Sequence, residues 1–384
     1  MAKKKEEVKV ALKRGKATFN LVGEARVGEY TYKTDVTSAS GWQYNTLNLG
    51  VDCGNGNTVY ADMMGGFSTK RDNVCYVNSK EDFTDRYTID WEDRFLEPIL
   101  ETIHQMCFIK VGIEKEASGK TFRKQFLSEY DAIAYVQDHL EDGMVINVKG
   151  DLKYNIYNDS VQIKKEIKSI FLSKAEPEEY RAKFIQTILI DEDAVGKFDE
   201  ETNSYPISAR VLDYTKMYGD KEVKATIPFF REFEIEKNEL KPQVTKALLT
   251  KFFKVKNGIT EIAVEGNIIE GQQTIIVSED DIPQDIQDLI DIGVYDKEEI
   301  LNKMAVSGTR VKRYIITKPY VQMVGETDED KKVELFITKE KYKAEDLILD
   351  FMFKDEDEEE DTSTDDETDT STDDDDDDSW LNDL

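Results

Sequence analysis

Lysine and arginine are interleaved with aromatic residues at several places along the chain, and that mixture suits one kind of chemistry. Cations along a groove take up phosphate charge, while exposed ring faces stack on bases at roughly 1–3 kcal/mol each, so together they hold single-stranded nucleic acid without reading its sequence. The first such segment contains Tyr30, Tyr32 and Lys33, followed by Trp42 and Tyr44. Tyr60 stands beyond the next turn, and Phe122, Arg123 and Lys124 lie together farther on. Lys149, Lys153, Tyr154, Tyr157 and Lys164 form a fourth group, inside a stretch, 144–174, with six bases against three acids. Arg210, Tyr214 and Lys224 follow. Arg310, Lys312 and Tyr314 complete the candidate binding residues, in a run that also holds Arg313 and Lys318 and no acid.

Catalytic patterns are weaker. Ser118-Gly-Lys-Thr121 is similar to the end of a phosphate-binding loop, but six residues separate Gly112 from Gly119 where such a loop needs four. Cys53, Cys75, His104 and Cys107 would make a zinc set by residue type, yet only His104 and Cys107 are closely spaced, and a buried cysteine on an apolar stripe explains Cys107 as well. Asp280-Asp281 and Asp191-Glu-Asp193 would suit magnesium, although carboxylate pairs carry no specificity in so acidic a chain. The expectation is a protein that is not an enzyme, with no catalytic residue, no metal and no cofactor.

The charge is segregated. The 384 residues carry 81 acids and 51 bases, a formal charge of −30, and the last thirty residues alone hold 18 acids and no base. The body is therefore near −12. No run approaches the ~18 apolar residues that span a bilayer, and the opening Met1-Ala-Lys-Lys-Lys-Glu-Glu has no apolar stretch of the signal-peptide kind, so no membrane partner is expected. Three cysteines, an odd and sparse set, fit a reducing compartment and a cytoplasmic protein.

Strand alternation must position the binding residues. Leu47, Leu49 and Val51 alternate with Tyr44, Thr46 and Asn48 before a Cys53-Gly-Asn-Gly-Asn57 turn, and Val59, Ala61 and Met63 alternate with Thr58 and Tyr60 after it, a hairpin pattern. Trp42 lies in a Ser-Gly-rich turn and is expected to be partly exposed. From Trp91 to Cys107 apolar residues recur every three or four positions, which predicts one helix with Trp91, Phe95, Ile99, Ile103 and Met106 buried. A second helix is predicted after Ser128, with Ile133, Val136 and Leu140 inward and a stop at Gly143, and strands are expected over 145–149 and 161–172.

That order repeats. The turn, apolar strand and glycine of 142–152 match 257–268, Ala17–Val27 matches Phe184–Val195, and Val161–Ile167 matches Thr309–Ile315, with a helix over 244–253 before the second bend. A Greek-key barrel of five strands with a helix between the third and fourth is the OB-fold. The expected fold class is mainly β with inserted helices (α+β), as tandem OB-folds: 1–175 with a basic N-terminal arm and a helical insertion, then 176–325. A C-terminal hairpin or extension over 326–354 and a disordered acidic tail over 355–384 follow.

The tail cannot bury enough apolar surface to order itself, but it ends in Ser379-Trp-Leu-Asn-Asp-Leu384, an apolar tip that opposes solubility. Tandem OB-like segments, basic aromatic strands and such a tail resemble the single-stranded DNA-binding proteins of replication, especially those of bacteriophages. Trp380-Leu-Asn-Asp-Leu384 departs from the Asp-Ile-Pro-Phe ending of the bacterial proteins. The resemblance implies a protein that coats and protects single-stranded DNA in replication, recombination and repair, with Trp380, Leu381 and Leu384 recruiting partner enzymes. Charge adds that the tail would compete with DNA for the basic groove. An acidic-tailed protein chaperone and a DNA-processing enzyme are the other classes that fit.

Overall fold

The computed structural model describes residues 10–115, 119–157, 160–219, 221–272, 282–297, 300, 310–325 and 331–348. The acidic tail, with Trp380, Leu381 and Leu384, lies outside the described residues, as does the start of the basic arm. Strands dominate. The first half of the chain forms β1 (Ala17–Arg26), β2 (Tyr32–Thr37), β3 (Trp42–Asp52), β4 (Thr58–Ser68), β5 (Val74–Asn78), β6 (Arg86–Asp90), α1 (Glu97–Leu100), β7 (Ile109–Lys115), β8 (Thr121–Phe126), α2 (Glu129–His139), β9 (Val145–Tyr157) and β10 (Ser160–Leu172). β1 pairs antiparallel with β3 and β9, β3 with β4, and β9 with β10; β10 closes the ring by running parallel to β4. This is a closed barrel of five strands with α2 between the third and the fourth, consistent with the OB-fold. Alternation builds it: Leu47, Leu49, Val51, Val59, Ala61 and Met63 all point into one core and are at most 1% exposed.

The same order of pairing recurs among β11 (Arg181–Ile190), β12 (Ser204–Tyr218), β13 (Lys221–Glu236), β14 (Ile259–Gln272) and β15 (Arg310–Pro319), with α3 (Pro242–Leu248) between β13 and β14. α4 (Gln284–Asp291) opens at Pro283, β16 (Val321–Val324) pairs with β17 (Lys332–Leu335), and β18 (Ile337–Tyr342) adds to the edge of β14. The expected terminal hairpin is thus split: its first strand pairs back to β16 and its second joins a barrel strand.

The two rings meet strand to strand. β1 and β11 pair antiparallel about Phe19 and Phe184, so Ala17 faces Gln186 and Leu21 faces Ala182. Each phenylalanine also lies opposite a glycine of its own ring's fourth strand, Phe19 opposite Gly150 and Phe184 opposite Gly266. Each glycine in turn pairs with an isoleucine of the fifth strand, Ile167 or Ile316. That correspondence corrects the sequence match by one residue, because Ile167 answers to Ile316 rather than to Ile315. A slip of one reverses which side chains face inward.

One long helix over 91–107 does not form. Two single 3₁₀ turns flank α1, which has only four residues with Pro98 near its start, and Ile103 bridges to Ser79 instead. Ile103 and Phe108 bury with Cys75, Val77 and Ile89 beneath the β5–β6 hairpin, with Trp91 packed against them. Phe95 and Met106, expected inside, are 57% and 74% exposed. Apolar spacing marked burial correctly for part of the segment but not its backbone, since a small cluster under a hairpin satisfies the same residues as a helix face. α2 forms as expected: the Ser128 hydroxyl accepts from the Tyr130 N–H at 3.1 Å, and Ala132, Ile133, Tyr135 and Val136 are buried.

Candidate nucleic-acid interface

On β3 the inward residues are Asn45, Leu47, Leu49 and Val51, so Trp42, Tyr44, Thr46, Asn48 and Gly50 face outward. Trp42 and Tyr44 stack at 4.6 Å between centroids and 15° between planes. Tyr44 sits over a glycine: a Cβ on Gly66 would meet the Tyr44 Cβ at 2.7 Å. Lys33, exposed on β2, pairs with Thr46 and so lies on the same face. At the other end Gly50 separates Arg26 from Tyr60, and a Cβ there would come within 3.1 Å of the Tyr60 ring and 3.2 Å of the Arg26 Cβ. The Tyr60 ring thus lies across bare backbone, 46% exposed.

Cations continue this face. Glu166 of β10 pairs with Asp62 of β4, and the parallel register puts Lys164 beside Tyr60 two residues back. Lys164 pairs in turn with Lys153. Among the described residues Lys33, Lys153 and Lys164 form no ion pair. Asp62 and Glu166 are acids in their midst; burial raises the Asp62 carboxyl, while Lys164, Lys165 and Lys312 draw it back down, and against burial Lys168 holds Glu166 below its ordinary value. Tyr157 is 40% exposed near the tip of the β9–β10 hairpin, across from Ser160.

A polar brace that the sequence reading missed holds the Trp42 end. Asn45, 2% exposed, accepts from the Asp35 N–H at 2.8 Å and donates to the Tyr130 carbonyl at 2.9 Å. The Tyr130 hydroxyl donates to Asp35 at 2.5 Å and accepts from Gln43 at 3.3 Å. Tyr130 can approach because Gly65 leaves room, where a Cβ would meet the Glu129 Cβ at 2.5 Å. The sequence did carry a signal: Asn45 is the polar residue at an inward position of an otherwise apolar alternation.

Several expected residues do not serve the face. Tyr154 is 3% exposed, its hydroxyl donating to Gln186 at 3.0 Å, and Tyr314 is 1% exposed against Phe184 and Phe233. Both are core residues, Tyr154 by the same parity as Ile146 and Val148, and Tyr314 because it takes the inward place that Lys165 holds in the first ring. Tyr32, paired with the core residue Leu47, is half-buried, and burial pushes its phenol up to about 12. Lys224 is paired with Glu222, Arg210 with Asp191 at 2.8 Å, and Lys312 with Glu270 at 3.8 Å. Lys124 lies over the Tyr135 ring at 4.2 Å, on an edge hairpin where Phe122 and Arg123 are exposed. The Arg310 side chain lies outside the described residues. Tyr30 is 82% exposed in the turn before β2. In the second ring Tyr214 is exposed, and so is Phe230, which the sequence reading missed and which pairs with Arg210.

The four possible zinc ligands are not brought together. Cys53 belongs to the first ring's core and Cys75 to the small cluster under β5–β6. The Asn78 N–H donates to the Cys107 sulfur at 3.3 Å, and the Met106 N–H to His104 Nδ1 at 3.2 Å. Burial pushes the Cys53 thiol up to about 12 and also raises Cys75. Iodoacetamide at pH 8 should therefore leave Cys53 unmodified in the native protein and alkylate it on unfolding, read by peptide mass. Alkylation of Cys53 at the rate of a free thiol would contradict its burial.

No curated protein matches the chain. The crystal structure of the wild-type single-stranded DNA binding protein from Thermus aquaticus overlays 82% of this chain and 97% of its own at 11% identity, with a TM-score of 0.32. A deletion mutant of the same Thermus protein overlays 83% of this chain and 99% of its own, also at 11% identity, with a TM-score of 0.31. Overlaps this loose carry no argument about the site. The YorF family model matches residues 109–309, just over half of the sequence, and the chain belongs to the YorF family.

Proposed function

We propose that this protein binds single-stranded DNA without sequence preference, as a tandem OB-fold module that coats exposed strands and is not an enzyme. One observation carries the reading: the outward face of β3 and β4 lays the Trp42–Tyr44 stack and the Tyr60 ring beside Lys33, Lys164 and Lys153, which form no ion pair among the described residues. From Trp42 to Gly50 that face runs about 26 Å, enough for several bases, since strands rise ~3.3 Å per residue. Stacking supplies affinity that any base can satisfy, and the lysines neutralise phosphate. In this proposal the acidic tail competes for the lysines and its apolar tip engages replication or recombination enzymes.

The test is a titration with oligo-dT across a salt series, followed by tryptophan fluorescence. Quenching at low salt with a steep loss of affinity as salt rises is expected. Because each phosphate contact on a single strand contributes about 0.7 to the salt slope, the Lys153→Gln/Lys164→Gln variant should lower that slope by about 1.4. Failure of the wild-type protein to bind any single strand at low salt would sink the reading.

A further inference from the structure

A second row of cations crosses the junction between the rings, away from the aromatic face. Reading across paired strands gives Lys110 on β7, Ser169 on β10, Lys149 on β9, Asn20 on β1, Lys183 on β11 and Asn267 on β14. With strands ~4.8 Å apart, neighbouring lysines fall about 10 Å from each other, in a line of about 20 Å perpendicular to the strands. They face an open groove of about 620 Å³ that spans β10, β9, β1 and β11 and is overhung by Gln105 and Met106. Among the described residues none of the three lysines forms an ion pair. The groove's other charges are Lys168, paired with Glu166, and the acids Asp151 and Glu265, the second of which Lys318 holds at 2.9 Å.

The row is not a by-product of the repeat. The correspondence of Gly150 with Gly266 makes Glu265 the counterpart of Lys149, and that of Phe19 with Phe184 makes Thr18 the counterpart of Lys183. Strand pairing alone therefore permits either charge at these places: the equivalent row carries Glu265, paired with Lys318, and Asp151, whereas among the described residues the lysines of this row form no ion pair.

We infer that this groove is a second phosphate track, which takes the backbone of the same single strand as it passes from one ring to the other. The inference rests on the function proposed above. Lys110, Lys149 and Lys183 neutralise phosphates, while Asn20, Ser169 and Asn267 supply hydrogen bonds between them. The row offers no stacking ring, so it adds affinity only for strands long enough to reach beyond the Trp42–Tyr60 face.

Two oligo-dT lengths test it, one of about 8 nucleotides, within the ~4–16 that an OB-fold covers, and one of about 30 that reaches both rings. The variants are Lys149→Gln/Lys183→Gln, both at exposed positions, and the same pair with Lys110→Gln. The short strand should bind each variant as it binds wild type. On the long strand the salt slope should fall by about 1.4 for the double and about 2 for the triple variant, with weaker binding at every salt concentration. Unchanged long-strand slopes overturn the track while leaving the proposed function standing, and so does equal weakening on both lengths. Tighter long-strand binding by the variants also overturns it, since the groove then holds a competing acidic segment. If wild type binds neither length, the proposed function fails and the track fails with it.

Discussion

Trp42→Ala should weaken binding of oligo-dT roughly 5- to 150-fold, the equivalent of the ~1–3 kcal/mol that one stacked base contributes. The effect is expected to be large because Trp42 does two things. Its ring is held in one orientation by the stack on Tyr44, and it lies at the end of the face braced by Asn45 and Tyr130. Trp42→Phe keeps a ring and should lose less. Trp91→Ala is the comparison: Trp91 packs with the small cluster under β5–β6, its ring covered by the Arg94 guanidinium at 4.0 Å, so its loss should cost stability and leave DNA affinity alone. Isothermal titration or fluorescence anisotropy reads the affinities. Wild-type affinity in a folded Trp42→Ala/Tyr60→Ala variant would remove the aromatic face from the binding site.

Gly150→Ala is expected to destabilise the first ring by roughly 3 kcal/mol or more, at the upper end of overpacking effects. A Cβ there would stand 1.9 Å from the Glu166 carbonyl oxygen and 2.9 Å from the Phe19 ring, and backbone has no rotamer with which to yield. β9 and β10 would have to separate where the barrel bends. Gly266→Ala should act alike in the second ring, with its Cβ 2.2 Å from the Ile315 carbonyl oxygen and 2.4 Å from the Phe184 ring. Gly28→Ala is the control, since nothing lies within 4 Å of its added methyl group. Thermal melts should show a fall on the order of 5–10 °C for either bend glycine and almost none for Gly28. A Gly150→Ala protein as stable as wild type would mean that the strands do not meet this closely.

Much of the first ring is legible in the sequence because its inward residues alternate on either side of the 53–57 turn, from Leu47 to Val51 and from Val59 to Met63, and because Ser128 caps the helix at its start while Gly143 turns the chain a few residues past its end at His139. Trp42, Tyr44 and Tyr60 emerge from the same parity. Tyr154 does not belong with them, since parity places it with Ile146 and Val148, and aromatic character alone is a poorer guide than alternation. Tyr314 cannot be placed without the register, because its neighbours Ile315 and Ile316 are both buried and break the alternation. Phe95 and Met106 show the limit of helical spacing over a short segment, where a strand hairpin buries some of the same residues and leaves the rest in water.

By itself the sequence determined which residues alternate, where the chain bends, that charge is concentrated beyond residue 354, and that cations and rings share the same strands. These are local properties, written in a period of two or in composition. Only the tertiary structure decided which cations remain unpaired and which lie side by side. Lys149 and Lys183 flank Asn20 because β9 and β11 pair with opposite edges of β1, whereas Arg210 is taken up by Asp191. Pairing between strands far apart in the chain is set by how Phe19 and Phe184 pack against the bend glycines, and contacts of that range leave no period in the sequence.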